Sequence, residues 1–147
     1  MITEDIKNLI IRDLNKLNEE LSLFQEEKNI WKTVDNITNS AGHLTLHICG
    51  NLRHFIGHIL GGSAFIRNRE NEFNSSPVLL EILTSEILSA KEEVAETLDS
   101  FTLEKLNSTY PINVFNKEMT AQFFLIHLHG HLTYHIGQIN YLRRSLS

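Results

Sequence analysis

The 147-residue chain contains two prolines, Pro77 and Pro111, and both fall between stretches whose apolar residues recur every three or four positions. Proline removes a backbone donor and clashes with the preceding turn, so the stretches it avoids are free to coil as helices. From residue 3 to 28 the apolar stripe is Ile6, Leu9, Ile10, Leu14, Leu17, Leu21 and Phe24, with Thr3 the expected N-cap and a solvated charged face between. A second helix is expected from Asn39 or Ser40 to Gly61-Gly62, burying Ala41, Leu44, Ile48, Leu52, Phe55 and Ile59. Gly42, Gly50 and Gly57 each weaken it by about 1 kcal/mol relative to Ala, a cost that close packing of a neighbour would explain. Residues 61–76 form the longest connection, one that could carry the chain to the far end of a bundle. A third helix, with Ile82, Ile87, Leu88, Val94 and Leu98 apolar, is expected from about residue 78 or 85 to Ser100, Pro77 suiting its start. Residues 101–118 read as irregular, with a short helical turn at 102–107. The fourth helix runs from Met119 to Arg144, with Thr120 as its cap. The fold class is therefore all-α: one domain over residues 1–147, a four-helix bundle.

Composition narrows the function. The formal net charge is −5, which argues against a generic basic nucleic-acid binder. A lone cysteine, Cys49, excludes an internal disulfide framework and a Cys-cluster zinc finger, and reads as a reduced, buried thiol. The acidic, amphipathic start MITEDIKNLI is not a signal peptide, and no apolar run approaches a membrane span. A soluble cytoplasmic protein without nucleic-acid or membrane partners is expected.

The abnormal number is eight histidines: four between His43 and His58, and four between His127 and His135. At about 100° per residue, His43, His47, His54 and His58 share a stripe of roughly 60° on the second helix. On the fourth, His127, His131 and His135 share one of about 80°, while His129 points to the opposite side and is expected to face outward. A His pair at i and i+4 puts two imidazoles on one face, where they can chelate a divalent ion. Four such pairs occur: 43/47, 54/58, 127/131 and 131/135.

No Asp or Glu lies between Asp35 and Glu70, or after Glu118, so both histidine helices lack carboxylates. That excludes on these helices a facial triad of two His and one carboxylate, a His-Glu-x-x-His motif and the Glu-x-x-His pattern of di-iron bundles. A carboxylate from the first or third helix remains able to approach in space. The simplest site is three imidazoles plus water, an open shell suited to zinc and also to nickel or iron.

The segment His131-Leu-Thr-Tyr-His135-Ile-Gly137-Gln138 resembles the last helix of the DinB/YfiT-like metalloenzyme superfamily, which carries His-x-x-x-His followed closely by Gly-Gln. The upstream segment LTLHICGNLRHFIG resembles that superfamily's second helix, with His47 at the position of a third ligand. The resemblance spans nearly the whole chain. It departs where many relatives have His-His-Arg-Gly-Gln and this chain has Tyr134-His135-Ile136-Gly137-Gln138, so the extra His and the Arg of that pattern have no counterpart at those positions.

The resemblance implies an up-down-down-up bundle with one crossover, a divalent metal on His47, His131 and His135 in an open cleft, and homodimers. It also implies chemistry on a small-molecule thiol, as a metal-dependent thiol transferase or isomerase; an open metal shell that lowers the pKa of bound water adds a hydrolase, or another enzyme acting on a small electrophile, to the expectations. Non-catalytic metal binding in a stress response and a metal-free structural dimer are the alternatives. Of the remaining histidines, His43 is expected at an edge or cap. His54 and His58, about 10 and 16 Å along the axis from His47, are expected at the surface or an interface. His127 is a candidate for contact behind the ligands. Asn51 is a candidate to line the cleft or to pack between helices, Gln138 to orient a ligand or cap a neighbouring group, and Tyr134 reads as a packed aromatic in preference to a proton donor in the site.

Overall fold

Leucine and isoleucine at three- and four-residue intervals become the buried seams of four long helices. The computed structural model describes residues 1–146. Helix α1 covers Ile2–Ser22, α2 Ala41–Leu52, α3 Arg69–Asn74, α4 Leu80–Asp99, α5 Leu103–Asn107 and α6 Ala121–Leu146. Among the described residues there is no strand, and an isolated antiparallel bridge pairs Thr109 with Thr120. No helix is long and apolar enough to cross a membrane. Helices α1 and α2 each pack on both α4 and α6. The core between them is built from Ile10, Leu14 and Leu17 of α1, Ile48 and Leu52 of α2, Leu83, Ile87 and Val94 of α4, and Phe124, Leu128, Leu132 and Ile139 of α6.

Three helix starts follow the local chemistry of the sequence. Ser40 Oγ accepts from the His43 amide at the start of α2, Thr102 Oγ1 from Lys105 at α5, and Thr120 Oγ1 from Phe123 at α6. Thr3 does not cap α1. That helix begins two residues earlier than its polar signal, with the Asp5 amide donating to Met1 O, and Thr3 is buried inside the first turn.

The first helix ends at Ser22 rather than 28. The amides of Leu23 and Phe24 fall back onto Glu20 O and Leu21 O, and the chain turns through a 3-10 helix at Glu27–Trp31. This bend lets both Phe24 and Ile30 reach the core, which a straight helix would not allow. The third helix starts at Leu80 and buries Leu83, Ile87, Ala90, Val94 and Leu98. Ile82 and Leu88 stand on its outer side, 47% and 51% exposed.

Two features had no local signal. After Leu52 the second helix widens into a π-helical segment, Arg53–His58, in which the amides of Ile59 and Gly61 reach back five residues to His54 O and Ile56 O. The widened turn ends the uniform rotation expected for His54 and His58. The connection from 61 to 76 also contains α3, whose N-cap Asn68 accepts from the Asn71 amide. Helix α3 packs on α2 and brings a carboxylate to it.

The charged face of α1 is not wholly solvated. Asp13 is buried, and its Oδ2 accepts from His129 Nε2 at 2.7 Å and from Thr133 Oγ1 at 3.1 Å. Glu20 accepts from Asn140 and Arg143. His129, expected to face outward, is therefore turned against α1.

Candidate metal centre

Helix α2 contributes one imidazole to the centre and α6 two. Their Nε2 atoms converge: His47 Nε2 is 3.2 Å and His135 Nε2 3.0 Å from His131 Nε2. One ligand atom from each of the three lies within 4.8 Å of the others. The i, i+4 spacing on α6 stacks His131 and His135 edge to face, with ring centroids 4.4 Å apart. The His47 ring crosses each of them at 5.0 Å.

The far sides of two of these rings meet side-chain oxygens that accept hydrogen bonds, and Arg67 Nη2 also approaches His47 Nδ1, at 3.4 Å. His47 Nδ1 donates to Glu72 Oε1 at 3.1 Å. His135 Nδ1 donates to Gln138 Oε1 at 2.7 Å. Each ring then presents its Nε2 as a lone pair toward His131. Three nitrogen donors directed at one point, two with their tautomer fixed from behind, suit a cation. Nitrogens about 2.0–2.1 Å from a tetrahedral ion lie about 3.3 Å apart, close to the two shorter separations here. The three-histidine cluster could hold a metal ion.

Burial keeps His131 and His135 neutral. Burial, reinforced by the neighbouring His135 and His47, pushes His131 down to about 4. Burial also lowers His135, outweighing the opposing hydrogen bond to Gln138. A neutral imidazole is the form that ligates metal.

Glu72 and Arg67 stand behind His47. Burial alone would raise the Glu72 carboxyl, but hydrogen bonds from His47 and Arg67 hold it below its ordinary value. Arg67 grips it bidentately, Nε on Oε2 at 2.9 Å and Nη2 on Oε1 at 3.0 Å. Gly50, one turn beyond His47, makes this approach possible: a Cβ at that position would overlap the Glu72 carboxylate. Phe73 covers the His47 ring at 4.8 Å.

Neither Glu72 nor Arg67 stands on a histidine helix, so neither was reachable from helix rotation. The available hint was the glycine that α2 carries three residues after His47.

The structure brings together His47, His131 and His135 and leaves the other five histidines apart from them. His43 is a capping residue, its Nδ1 hydrogen-bonded with Ser40 Oγ and its Nε2 with Ser75 O, both at 2.8 Å. His54 lies against Phe55, and His58 is exposed beside Ser63 O. His127 is exposed on the Phe115 and Phe124 rings. Asn51 is buried one turn from His47, with Oδ1 unpartnered. Tyr134, expected to pack, is 64% exposed, with its ring 5.4 Å from that of His135. Cys49 is buried, and burial drives its thiol well above its ordinary value.

The family model described as "Protein of unknown function (DUF1572)" matches residues 4–147. The chain belongs to this DUF1572 family. DUF1572 is a DinB/YfiT-like family, in line with the resemblance carried by His47 and by the His131–Gln138 segment. No curated protein and no solved structure matches the chain.

Proposed function

We propose that this DUF1572 chain is a divalent-metal protein whose ion sits on His47, His131 and His135, and that it acts on a small molecule at an open coordination position. The observation that carries the reading is the convergence of three Nε2 atoms, two with their tautomers fixed by Glu72 and Gln138. Three protein ligands leave room for a fourth group, as in catalytic sites. Zinc fits the all-imidazole set best, with nickel or iron as other occupants. When bound, the ion would supply Lewis acidity, lowering the pKa of a thiol or water placed beside it.

The residues of the chain then have defined tasks. His131 and His135 stay neutral through burial and so remain ligands. Glu72 fixes the His47 ring, and Arg67 keeps Glu72 ionised. Thiol transfer to a small electrophile is the favoured reaction, and hydrolysis the second. Among the described residues the carboxylate nearest the cluster, Glu72, is committed to His47 and Arg67, which favours a nucleophile that needs no carboxylate base. The same commitment supports a second reading, metal binding without turnover.

The proposed frame is one domain with an up-down-down-up bundle. It is supported by the packing of α1 and α2 on both α4 and α6 and by α3 in the long connection. A cytoplasmic homodimer completes the reading.

Elemental analysis of untagged protein tests it. About one divalent ion per chain, lost in His131→Ala, is expected. Less than about 0.1 ion per chain after incubation with zinc and removal of excess would overturn it. Turnover of low-molecular-weight thiols with a generic electrophile, abolished in His131→Ala, separates the enzyme from the non-catalytic reading.

A further inference from the structure

Beside His135, between the second half of α6 and the loop entering α2, lies a cavity of about 620 Å³. Its volume is that of a small-molecule site. Ile37, Leu44, Tyr134, Tyr141 and Leu142 give it apolar walls, and Gln138 together with the polar side chains of the 36–39 loop supplies hydrogen-bonding groups. Among the described residues, no Asp, Glu, Lys or Arg lines it. Its one histidine is His135.

The neighbouring surface is different. A smaller depression of about 320 Å³ also touches Gly137 and Tyr141, but is lined by Arg12, Asp13, Lys16 and Glu20. A third, of about 470 Å³, carries Arg53, Glu92, Glu93 and Glu96. The absence of charge is therefore a property of the cavity beside His135 and not of the surface around it.

We propose that this cavity binds the body of an uncharged, largely apolar small molecule, and holds it against His135 with its reactive group toward the metal centre. The orientation toward the ion rests on the metal reading; the binding of the body does not. A carboxylate or phosphate placed here would lose its hydration without gaining a countercharge, so anionic ligands are disfavoured. Apolar walls favour a ring or a short aliphatic chain, and the polar groups of the loop and Gln138 fix its orientation. The occupant is a small molecule rather than a protein face because the ring of one wall residue, His135, belongs to the three-imidazole cluster.

Gly137 provides a clean perturbation. It lines the cavity, and a Cβ built there meets nothing within 4 Å. Leucine at this exposed position improves helix propensity, clashes with nothing at Cβ, and adds bulk to the rim of the cavity.

The test is fluorescence titration with N-phenyl-1-naphthylamine, a neutral dye that brightens in apolar sites, beside 1-anilinonaphthalene-8-sulfonate, which has a similar body and adds an anion. Metal-free and metal-loaded protein are compared. One neutral dye per chain is expected, bound at least tenfold tighter than the sulfonate, with or without metal. Gly137→Leu should weaken it at least tenfold with an unchanged circular dichroism spectrum, and His131→Ala should leave it intact. Equal or tighter binding of the sulfonate overturns the proposal, as does undiminished binding in folded Gly137→Leu. A concentration-dependent dimer that excludes the dye, and that Tyr141→Asp converts to a dye-binding monomer, also overturns it by making a second copy the occupant. Dye binding in a protein that takes up no metal leaves the cavity assignment standing and removes the metal reading alone.

Discussion

Oε1 of Glu72 lies 3.1 Å from Nδ1 of His47, and both side chains are buried. The pair joins a helix of the histidine cluster to a carboxylate from the connection between α2 and α4. Carboxylates behind ligating histidines fix the tautomer and raise ligand basicity. Glu72→Gln is therefore expected to weaken zinc binding about 10–100-fold, the usual cost of losing such a partner. Competition with a chromophoric chelator measures this. Unchanged affinity in a folded variant would show that Glu72 holds α3 in place and does nothing for the cluster.

Gly50 gives the same contact a second handle. A methyl group there would overlap the Glu72 carboxylate, and the flexible end of that side chain must yield. In the wild-type background Gly50→Ala is expected to destabilise the fold by displacing the buried Glu72 carboxylate, and to lower zinc affinity as Glu72→Gln does. In a Glu72→Ala background the obstruction is gone, and Gly50→Ala should stabilise α2 by about 1 kcal/mol through helix propensity. A double-mutant cycle by urea unfolding reads this change of sign; additive effects would sink the idea.

The four long helices were legible because their apolar residues repeat every three or four positions, and because Ser40 and Thr120 carry their own capping chemistry. The grouping of His131 with His135 was legible as an i, i+4 pair. What escaped depends on tertiary contact. Nothing local to residues 23–31 stops a helix; burial of both Phe24 and Ile30 does. The π-helical turn at Arg53–His58 undid a rotation computed at a constant angle, so His54 and His58 could not be placed from it. Asp13 and Glu20 fall by rotation within the apolar stripe of α1, three residues after Ile10 and Leu17, and the opposite helix, with His129, Thr133, Asn140 and Arg143, shows what partners them there. Glu72 reaches His47 from a short helix in a segment that reads as loop.

Cys49 is 1% exposed, and its burial disfavours the thiolate. The thiolate is the reactive form, so this cysteine is no nucleophile in the folded protein. A thiol-reactive dye such as dithiobis-nitrobenzoate is expected to label about one group per chain in denaturant and less than about a tenth of that in native buffer on the same time scale. Rapid native labelling would contradict the packing of α2.

Metal-free protein should lose stability on mild acidification. Burial and the neighbouring imidazoles lower His131 to about 4 in the folded chain, against about 6.5 when unfolded. The unfolded state therefore binds the proton first. The contribution is complete above pH 6.5, declines as the pH falls to about 4, and is gone below it. Urea midpoints at pH 7 and pH 4.5 should differ more for the wild type than for His131→Asn. Identical pH dependence in the two would show that His131 titrates normally.

Asp13 and His129 tie α1 to α6 on the opposite side of α6 from the histidine cluster, with Oδ2 accepting from Nε2 at 2.7 Å. Thr133 Oγ1 donates to the same oxygen, and Arg12 Nε to Oδ1. Burial would raise the Asp13 carboxyl, yet these donors together hold it below its ordinary value. With a depressed folded value, its contribution is full above the unfolded pKa of about 3.9 and is lost as the pH falls through the folded one. This window lies below that of His131, so acid unfolding should proceed in two stages. Asp13→Asn keeps the shape but cannot satisfy all three donors, and is expected to cost about 1–3 kcal/mol at pH 7. It should also erase the lower stage while leaving the loss between pH 6.5 and 4 in place. Denaturant titrations across pH 2–7 read both effects, and a variant that keeps the lower stage would assign it to another carboxylate, with Glu72 the next to test.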